Sequence, residues 1–279
     1  MKRLSKSNIE YLTHVWNFAS GCRHRETGIC PVPNCWARSI ALRFKTHYPQ
    51  GFAPALYPDA LLSPLSLKKP ARIGVCFLGD LFGDWVDPAQ IVDLRNTPPR
   101  AWDGSAESLV GVASLQWYLK YVVEKCPQHR FFFLTKAPWN YQKWDPFPDN
   151  AWLGASVCNQ EMYDSTINEM ELIHSSHNWL SIEPLLSEIG IGDMLDEGAD
   201  DPPIGGIGIE WVVIGAQTNP SVMPRIEWVR EIVEACDRAG VPVWLKNNLG
   251  WPKVTSEGSE PFYRRHESGT WILRQELPK

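Results

Sequence analysis

Seven short apolar segments recur along this 279-residue chain, and several are separated by stretches with helical periodicity. Each is a continuous apolar run, which is typical of parallel strands buried on both faces. Repeated strand–helix units with right-handed crossovers build such a sheet. We therefore predict an α/β fold, a partial or full parallel (β/α) TIM-like barrel. The segments are residues 14–18, 72–78, 130–134, 151–157, 179–182, 210–215 and 241–245.

The predicted barrel domain spans residues 1–250, and residues 251–279 are expected to form a β tail packed on it. A long helix is predicted from about Ser108 to Cys126. A helix start is predicted at Asp87, because aspartate is a good N-cap and the following proline suits the first helical position. An acidic, glycine-rich insertion covers residues 190–209.

Polar side chains stand at or just after the ends of most of these segments. Active sites of parallel barrels lie at the carboxyl ends of the strands, so these side chains are expected on one rim. They are Asp80, Lys136, Asn159, Glu183, Gln217 and Lys246.

Three cysteines follow the first predicted strand within fourteen residues, in the pattern Cys-x7-Cys-x4-Cys. They are Cys22, Cys30 and Cys35. With no fourth cysteine nearby, they indicate a metal or cluster site with one open position. A zinc site completed by His24 or His14, or three unrelated thiols, are the alternatives, although structural zinc sites usually pair cysteines two to four residues apart.

The remaining composition describes an ordinary globular protein with a formal net charge of −5. No signal peptide and no run of about 18 apolar residues is evident, so we predict a cytoplasmic protein with no membrane association. Four other cysteines lie in apolar contexts and are predicted to be buried free thiols. They are Cys76, Cys126, Cys158 and Cys236.

The acidic balance of the chain disfavours tight nonspecific binding of nucleic acid, while the basic group Arg264-Arg265-His266 leaves nucleic acid open as a partner.

Short sequence blocks follow one another from about residue 14 to residue 250. They include Trp16-Asn17, Gly21-Cys22, Cys35-Trp36-Ala37, Asp80-Leu81-Phe82, Leu134-Thr135-Lys136, Trp152-Leu153-Gly154, Ser156-Val157, Asn159-Gln160, Glu183-Pro184-Leu185-Leu186, Trp211-Val212, Ile214-Gly215, Gly240-Val241-Pro242 and Lys246. In this order they resemble a family of phage-borne and bacterial radical-SAM-like proteins, mostly uncharacterised, with a three-cysteine motif. The chain departs from that family in the four-residue gap between Cys30 and Cys35, where two are expected, and in Gly215-Ala216-Gln217, where Gly-Gly-Glu is usual.

The resemblance implies a radical SAM enzyme, in which the three cysteines hold a [4Fe-4S] cluster and the open iron binds S-adenosylmethionine. It implies reductive cleavage of S-adenosylmethionine to act on an unidentified substrate, with an electron donor of flavodoxin or ferredoxin type. The residues implied to bind the cofactor are Asn17, Asp80, Ser156, Asn159, Glu183 and Gln217, and those implied to be catalytic are Lys136, Glu183 and Lys246.

The family also suggests a co-encoded partner protein. The alternative function is therefore a non-catalytic zinc- or cluster-stabilised binding module that works with such a partner. A hydrolytic metalloenzyme on a TIM-type fold is disfavoured, because the strand ends lack the several histidine and aspartate ligands that such a site needs.

Overall fold

The computed structural model describes residues 4–95, 111–173, 175–191, 208–258 and 260–278. The predicted helix start at Ser108 and most of the predicted insertion at residues 190–209 lie outside the described residues. Within the described residues the long helix begins later than predicted, at Leu115, because Val112–Ser114 form a strand. The helices are α1 (Trp36–Arg43), α2 (Leu115–Glu124), α3 (Gln160–Met170) and α4 (Ile226–Arg238), with short 3-10 turns at Pro58–Ala60, Ser63–Ser66, Pro138–Trp144 and Asn247–Leu249.

The strands are short, and most belong to one large sheet. They are β1 (Leu4–Lys6), β2 (His14–Trp16), β3 (Ala19–Ser20), β4 (Ala55–Leu56), β5 (Arg72–Val75), β6 (Ile91–Asp93), β7 (Val112–Ser114), β8 (Arg130–Thr135), β9 (Ala151–Val157), β10 (His177–Ile182), β11 (Ile209–Ile214), β12 (Gln217–Thr218), β13 (Ser221–Val222), β14 (Val243–Leu245), β15 (Val254–Thr255), β16 (Tyr263–Arg265) and β17 (Trp271–Leu273).

The large sheet has eight strands in the order β1-β2-β5-β8-β9-β10-β11-β14. Strand β1 is antiparallel to β2, whereas the pairs β2–β5, β5–β8, β10–β11 and β11–β14 are parallel. Each of the seven predicted segments supplies one strand, so the predicted α/β class with a mostly parallel sheet is confirmed. A closed TIM barrel is not shown for the described residues, because β1 and β14 are the outer strands and do not pair with each other.

The chain divides into two compact units, and the first comprises Met1–Gly154 with Ile173–His177. Its strands bury large aromatic side chains, and Phe82 packs against Phe133 and Tyr141. Ser114 is the N-cap of helix α2, and its hydroxyl accepts a hydrogen bond from the backbone N–H of Trp117 at 3.2 Å. This cap satisfies one of the free N–H groups of the first helical turn.

The helix predicted to start at Asp87 is wrong. The Asp87 side chain accepts from the N–H of Ala89 at 2.9 Å in a single turn, and the chain then enters β6. The carbonyls of Pro88 and Gln90 accept hydrogen bonds from Gln116 and Leu115. These two carbonyls therefore accept from the first residues of α2 and not from N–H groups four residues further along the chain, as a helix starting at Asp87 would require.

The second unit comprises Ala155–Leu172 and Asn178–Lys279. Helix α4 buries Val229, Ile232 and Val233 along one face. The C-terminal segment folds into a three-stranded antiparallel sheet in the order β15-β17-β16. Beyond β17, Gln275 forms an antiparallel bridge with Trp244 of β14. The tail thus covers the backbone edge of β14, which would otherwise be open to pairing with another chain.

None of the helices in the described ranges combines the length and the apolar composition that crossing a membrane requires.

Candidate functional site

Two glycines hold the segment from Cys22 to Cys35, called here the cysteine loop, against the end of β5. Gly21 and Gly79 form a parallel bridge: the Gly21 N–H donates to Leu78 and the Asp80 N–H donates to the Gly21 carbonyl. A Cβ on Gly79 would lie 2.4 Å from the Gly21 carbonyl oxygen, so only glycine permits this approach. The bridge continues the pairing of β2 with β5 beyond the strand ends and brings Cys22 to the carboxyl end of β5.

Asp80 is the centre of a buried polar network in the first unit, with 7% of its surface exposed. Its carboxylate accepts the Thr135 hydroxyl at 2.9 Å and the Lys136 backbone N–H at 3.0 Å. It also accepts the N–H of Phe82 at 2.9 Å, and one oxygen lies 2.7 Å from Nε2 of His24. Because both oxygens are engaged by the protein, Asp80 fastens the loop to the ends of β5 and β8.

His24 links two of the cysteines to this network. Its backbone N–H donates to the Cys22 Sγ at 3.4 Å, and its carbonyl accepts from the Cys30 N–H at 3.1 Å. The ring is 1% exposed, and Nδ1 is buried with no hydrogen-bond partner. A carboxylate oxygen only accepts, so in the neutral imidazole the proton is on Nε2 and Nδ1 presents a lone pair. That lone pair can accept a proton or bind a metal ion.

The three loop cysteines are free and half-buried. Burial, together with the neighbouring Asp80, Cys30 and Cys35, raises the pKa of the Cys22 thiol to about 12, against the lowering effect of the His24 N–H. Cys35 directly precedes α1 and packs against a buried cluster containing Ala37 and Leu78. Among the residues that the structure describes, no three His, Cys, Asp or Glu side chains are arranged to hold a metal ion.

The prediction of four buried free thiols is confirmed for Cys76, Cys126, Cys158 and Cys236. Cys76 adopts a left-handed backbone conformation, with φ +57°, directly after β5. Non-glycine residues rarely adopt this conformation, and it costs energy that the surrounding structure must supply. Its N–H donates to Trp16 and its carbonyl accepts from Gly79, so these contacts fix the turn that leads to Asp80.

A small cavity of about 160 Å³ opens beside Asp80 within the first unit. Its lining is mixed in polarity and includes Ser20, Cys76, Trp85 and Leu115. The Nε1 of Trp85 is a buried donor with no partner, and its ring packs edge-on against His24 at 4.8 Å between centroids. The cavity lies at the same strand ends as the cysteine loop.

A second polar cluster occupies strand ends in the second unit. The Nζ of Lys246 lies 2.7 Å and 2.8 Å from the two carboxylate oxygens of Glu183. The Asn248 amide donates to Glu183 at 3.0 Å and to the Ala216 carbonyl at 2.8 Å. A Cβ on Gly215 would meet the Glu183 side chain at 3.0 Å. Glu183 and Lys246 are therefore brought together, after β10 and β14 respectively.

The side chains of Asn17, Asn159 and Gln217, which were also predicted to bind the cofactor, form hydrogen bonds with the protein backbone. The Asn17 side chain accepts from the Leu78 N–H at 3.3 Å, and Asn159 caps α3 by accepting from Met162 at 2.9 Å. The Gln217 amide donates to the Pro220 carbonyl at 3.0 Å. Ser156 is buried in β9. The side chain of Lys136 is half-buried, and its backbone N–H is the group that contacts Asp80.

Comparison with family models assigns this chain to a group. The model described as "Protein of unknown function (DUF5131)" matches residues 6–101 and 113–272. The chain belongs to the DUF5131 family. The matched residues include the cysteine loop, Asp80, Glu183 and Lys246. Comparisons with curated proteins and with solved structures found no match.

Two residues of this DUF5131 protein were missed as members of the polar clusters. Asn248 lies in a 3-10 turn after β14 and donates a hydrogen bond to Glu183, which is 65 residues away in the sequence. His24 was considered only as a zinc ligand, although a histidine two residues after a cysteine was a usable signal. Its partner Asp80 lies 56 residues further along the chain, in the loop after β5, so sequence spacing gives no indication of the pair.

The basic group at Arg264 is engaged within the DUF5131 chain itself. Arg264 lies 2.6 Å from Asp237 and 3.6 Å from Glu276. Because Arg264 and the buried Arg274 share these two carboxylates in a charge-balanced cluster, Arg264 gives less support for a nucleic-acid partner than the sequence suggested.

Proposed function

We propose that this protein is a radical SAM enzyme in which Cys22, Cys30 and Cys35 bind a [4Fe-4S] cluster. In this proposal the sheet is a partial, open (β/α) barrel. The observation that carries the proposal is the Gly21–Gly79 bridge, which holds the cysteine loop at the carboxyl end of β5. This is the edge at which parallel α/β enzymes assemble their active sites.

The donor chemistry of the loop fits an iron–sulfur cluster. Thiolates are the usual cluster ligands, and the three thiols are free and half-buried. Burial and neighbouring negative charge disfavour the Cys22 thiolate, so a bound cation would favour its deprotonation. The loop side chains would have to move together to ligate iron, since no three described donors now have chelating geometry. The bound cluster would supply one electron to S-adenosylmethionine.

The surrounding residues have separate roles in this proposal. Asp80 and His24 fix the loop, so they act as positioning residues. In the second unit, the carboxylate of Glu183 accepts hydrogen bonds and is held in place by Lys246 and Asn248. Glu183 is 23% exposed and can accept a further donor, such as a hydroxyl of the cofactor or the substrate. The substrate is not specified by these contacts.

The test is anaerobic purification followed by analysis of iron, sulfide and zinc. We expect about four irons and four sulfides per chain. Replacing Cys30→Ala should abolish them, whereas Cys126→Ala, at a buried thiol outside the loop, should leave them unchanged. Reduction with dithionite in the presence of S-adenosylmethionine should then yield 5′-deoxyadenosine. A fully loaded cluster that yields none would contradict the enzymatic function.

A zinc-stabilised binding module is the second candidate, and the unpartnered Nδ1 of His24 favours it. Metal-bound histidines usually donate their other ring nitrogen to a carboxylate, as His24 does to Asp80. His24 would then be a fourth ligand beside the three cysteines. One zinc per chain, with no iron, and its loss in His24→Ala would establish this candidate and exclude the cluster.

A further inference from the structure

Basic residues lie where the parallel strands of the large sheet begin in the first unit, and we call this end of the strands an edge of the sheet. Lys6 ends β1 and is paired in register with His14, which begins β2. Arg72 begins β5 and is paired in register with Arg130, which begins β8. Since β1 is antiparallel to β2, all four lie at the edge where the parallel strands begin.

Two further lysines join this edge through the connection that precedes β5. Lys68 and Lys69 are exposed, and the side-chain amide of Gln128 donates to the Leu67 carbonyl at 3.2 Å. The Arg130 N–H donates to the Ala71 carbonyl at 3.0 Å. These bonds join the segment carrying the lysines to the start of β8. We call Lys6, Lys68, Lys69, Arg72 and Arg130 together the basic edge.

The charges of the basic edge repel one another. Like charges in register on neighbouring strands are unfavourable, and Arg72 faces Arg130 in this way. Burial, and then the charge of Arg130, lowers the pKa of Arg72, while burial and then Lys6 lower that of His14. The carboxylates that shortly precede β2, β8 and β9 in the sequence are Glu10, Glu124 and Asp149, and Lys125 adds a further cation before β8. Positive charge therefore predominates here although the whole chain is acidic.

We propose that the basic edge binds the phosphate backbone of a nucleic acid. Cations arranged in a row across several strands suit a ligand with regularly spaced phosphates. Neutralising those phosphates releases the counterions bound to the nucleic acid. A membrane surface is disfavoured, because none of the described large apolar side chains that are exposed belongs to this edge. The proposal is independent of the cluster, since the cysteine loop lies at the opposite ends of β2 and β5.

The test measures fluorescence anisotropy of a labelled DNA duplex and a labelled single strand while salt is raised from about 50 to 200 mM. We expect binding that weakens linearly with the logarithm of salt concentration. The variant Lys68→Gln/Lys69→Gln should reduce the slope for the duplex by about two. The control Lys45→Gln/Lys253→Gln removes the same charge from exposed lysines elsewhere and should leave the slope unchanged.

Circular dichroism and thermal unfolding of each variant establish that it is folded. Absence of binding by the unaltered protein at the lowest salt concentration would overturn the proposal, as would equal losses in the two double variants. Binding to phosphatidylserine vesicles that requires Lys68 and Lys69, with no binding to either oligonucleotide, would assign the basic edge to a membrane and overturn it too.

Discussion

At the scale of single residues, Gly21 has two separate reasons to be glycine. Its φ of +89° lies in the left-handed region, and a Cβ would lie 2.4 Å from the Ala53 carbonyl oxygen. Gly28, in the same loop, has φ +80° but no atom within 4 Å of its Cβ position. Comparing alanine substitutions at these two positions therefore distinguishes the cost of backbone strain from the cost of steric overlap.

Replacing Gly21→Ala is expected to destabilise the protein by about 3 kcal/mol or more, because strain and overlap act together. Gly28→Ala, which adds strain alone, should cost about 1 kcal/mol. Urea unfolding followed by tryptophan fluorescence measures both. Equal losses at the two positions would show that the contact with Ala53 does not constrain the loop.

The sequence predicted several site residues because each follows an apolar strand. Asp80, Glu183 and Lys246 are of this kind, and all three have charged or hydrogen-bonded partners in the described structure. Which partner each side chain meets could not be predicted. The His24–Asp80 pair and the Asn248–Glu183 contact join residues far apart in sequence, and no local pattern encodes such distances.

At the scale of elements, the C-terminal tail is fastened by a buried ion network. Arg274 is 3% exposed and its guanidinium contacts Glu276 at 2.9 Å and Asp237 at 2.9 Å. Burial by itself would raise the pKa of Glu276, but hydrogen bonds from Arg274 and the Val243 N–H outweigh it and lower that pKa. The carboxylate form of Glu276 therefore stabilises the folded tail.

A lowered carboxyl pKa adds stability above the unfolded pKa, near 4.5, and this stability is lost as pH falls through the folded pKa. Glu276→Gln should thus lower the free energy of unfolding by about 2 kcal/mol at neutral pH. The difference from the unaltered protein should shrink below about pH 4.5. Urea midpoints across this range test it, with the exposed Glu267→Gln as the control. A difference that does not vary with pH would contradict the linkage.

The elements themselves were predicted with different success. Buried strands such as β8 and β9 carry a continuous apolar signal and were found within a few residues of their observed ends. Strand β1 has the sequence Leu-Ser-Lys and no such signal, because an outer strand does not need two buried faces. Barrel closure was also unpredictable, since it depends on whether the first and last strands meet and not on the pattern of any one.

At the scale of the whole molecule, the seven cysteines divide into two classes by burial. Cys22, Cys30 and Cys35 are half-buried, whereas the other four are fully buried. Because thiolates and not thiols react, the raised pKa of Cys22, about 12, should make it slower than an unperturbed thiol. A thiol reagent added to the native protein should therefore modify only the three cysteines of the cysteine loop.

Titration of the native metal-free protein with a thiol reagent should modify three cysteines, with Cys22 the slowest. The remaining four should react only after unfolding in guanidinium. Loading the proposed cluster should protect the three loop cysteines. Early modification of Cys76 or Cys236 in native protein would contradict the observed burial, and mass spectrometry of peptides identifies each site.

The bridge between Gly21 and Gly79 also constrains how the proposed cluster would be inserted. The cysteine loop reaches the end of β5 only when β2 and β5 have already paired. The cluster proposed above would therefore be inserted into a chain that has already folded, in contrast to small zinc domains that remain unfolded without metal. Iron delivery would then require a carrier that docks on an already folded acceptor, and the half-buried cysteines are the part of that acceptor such a carrier can reach.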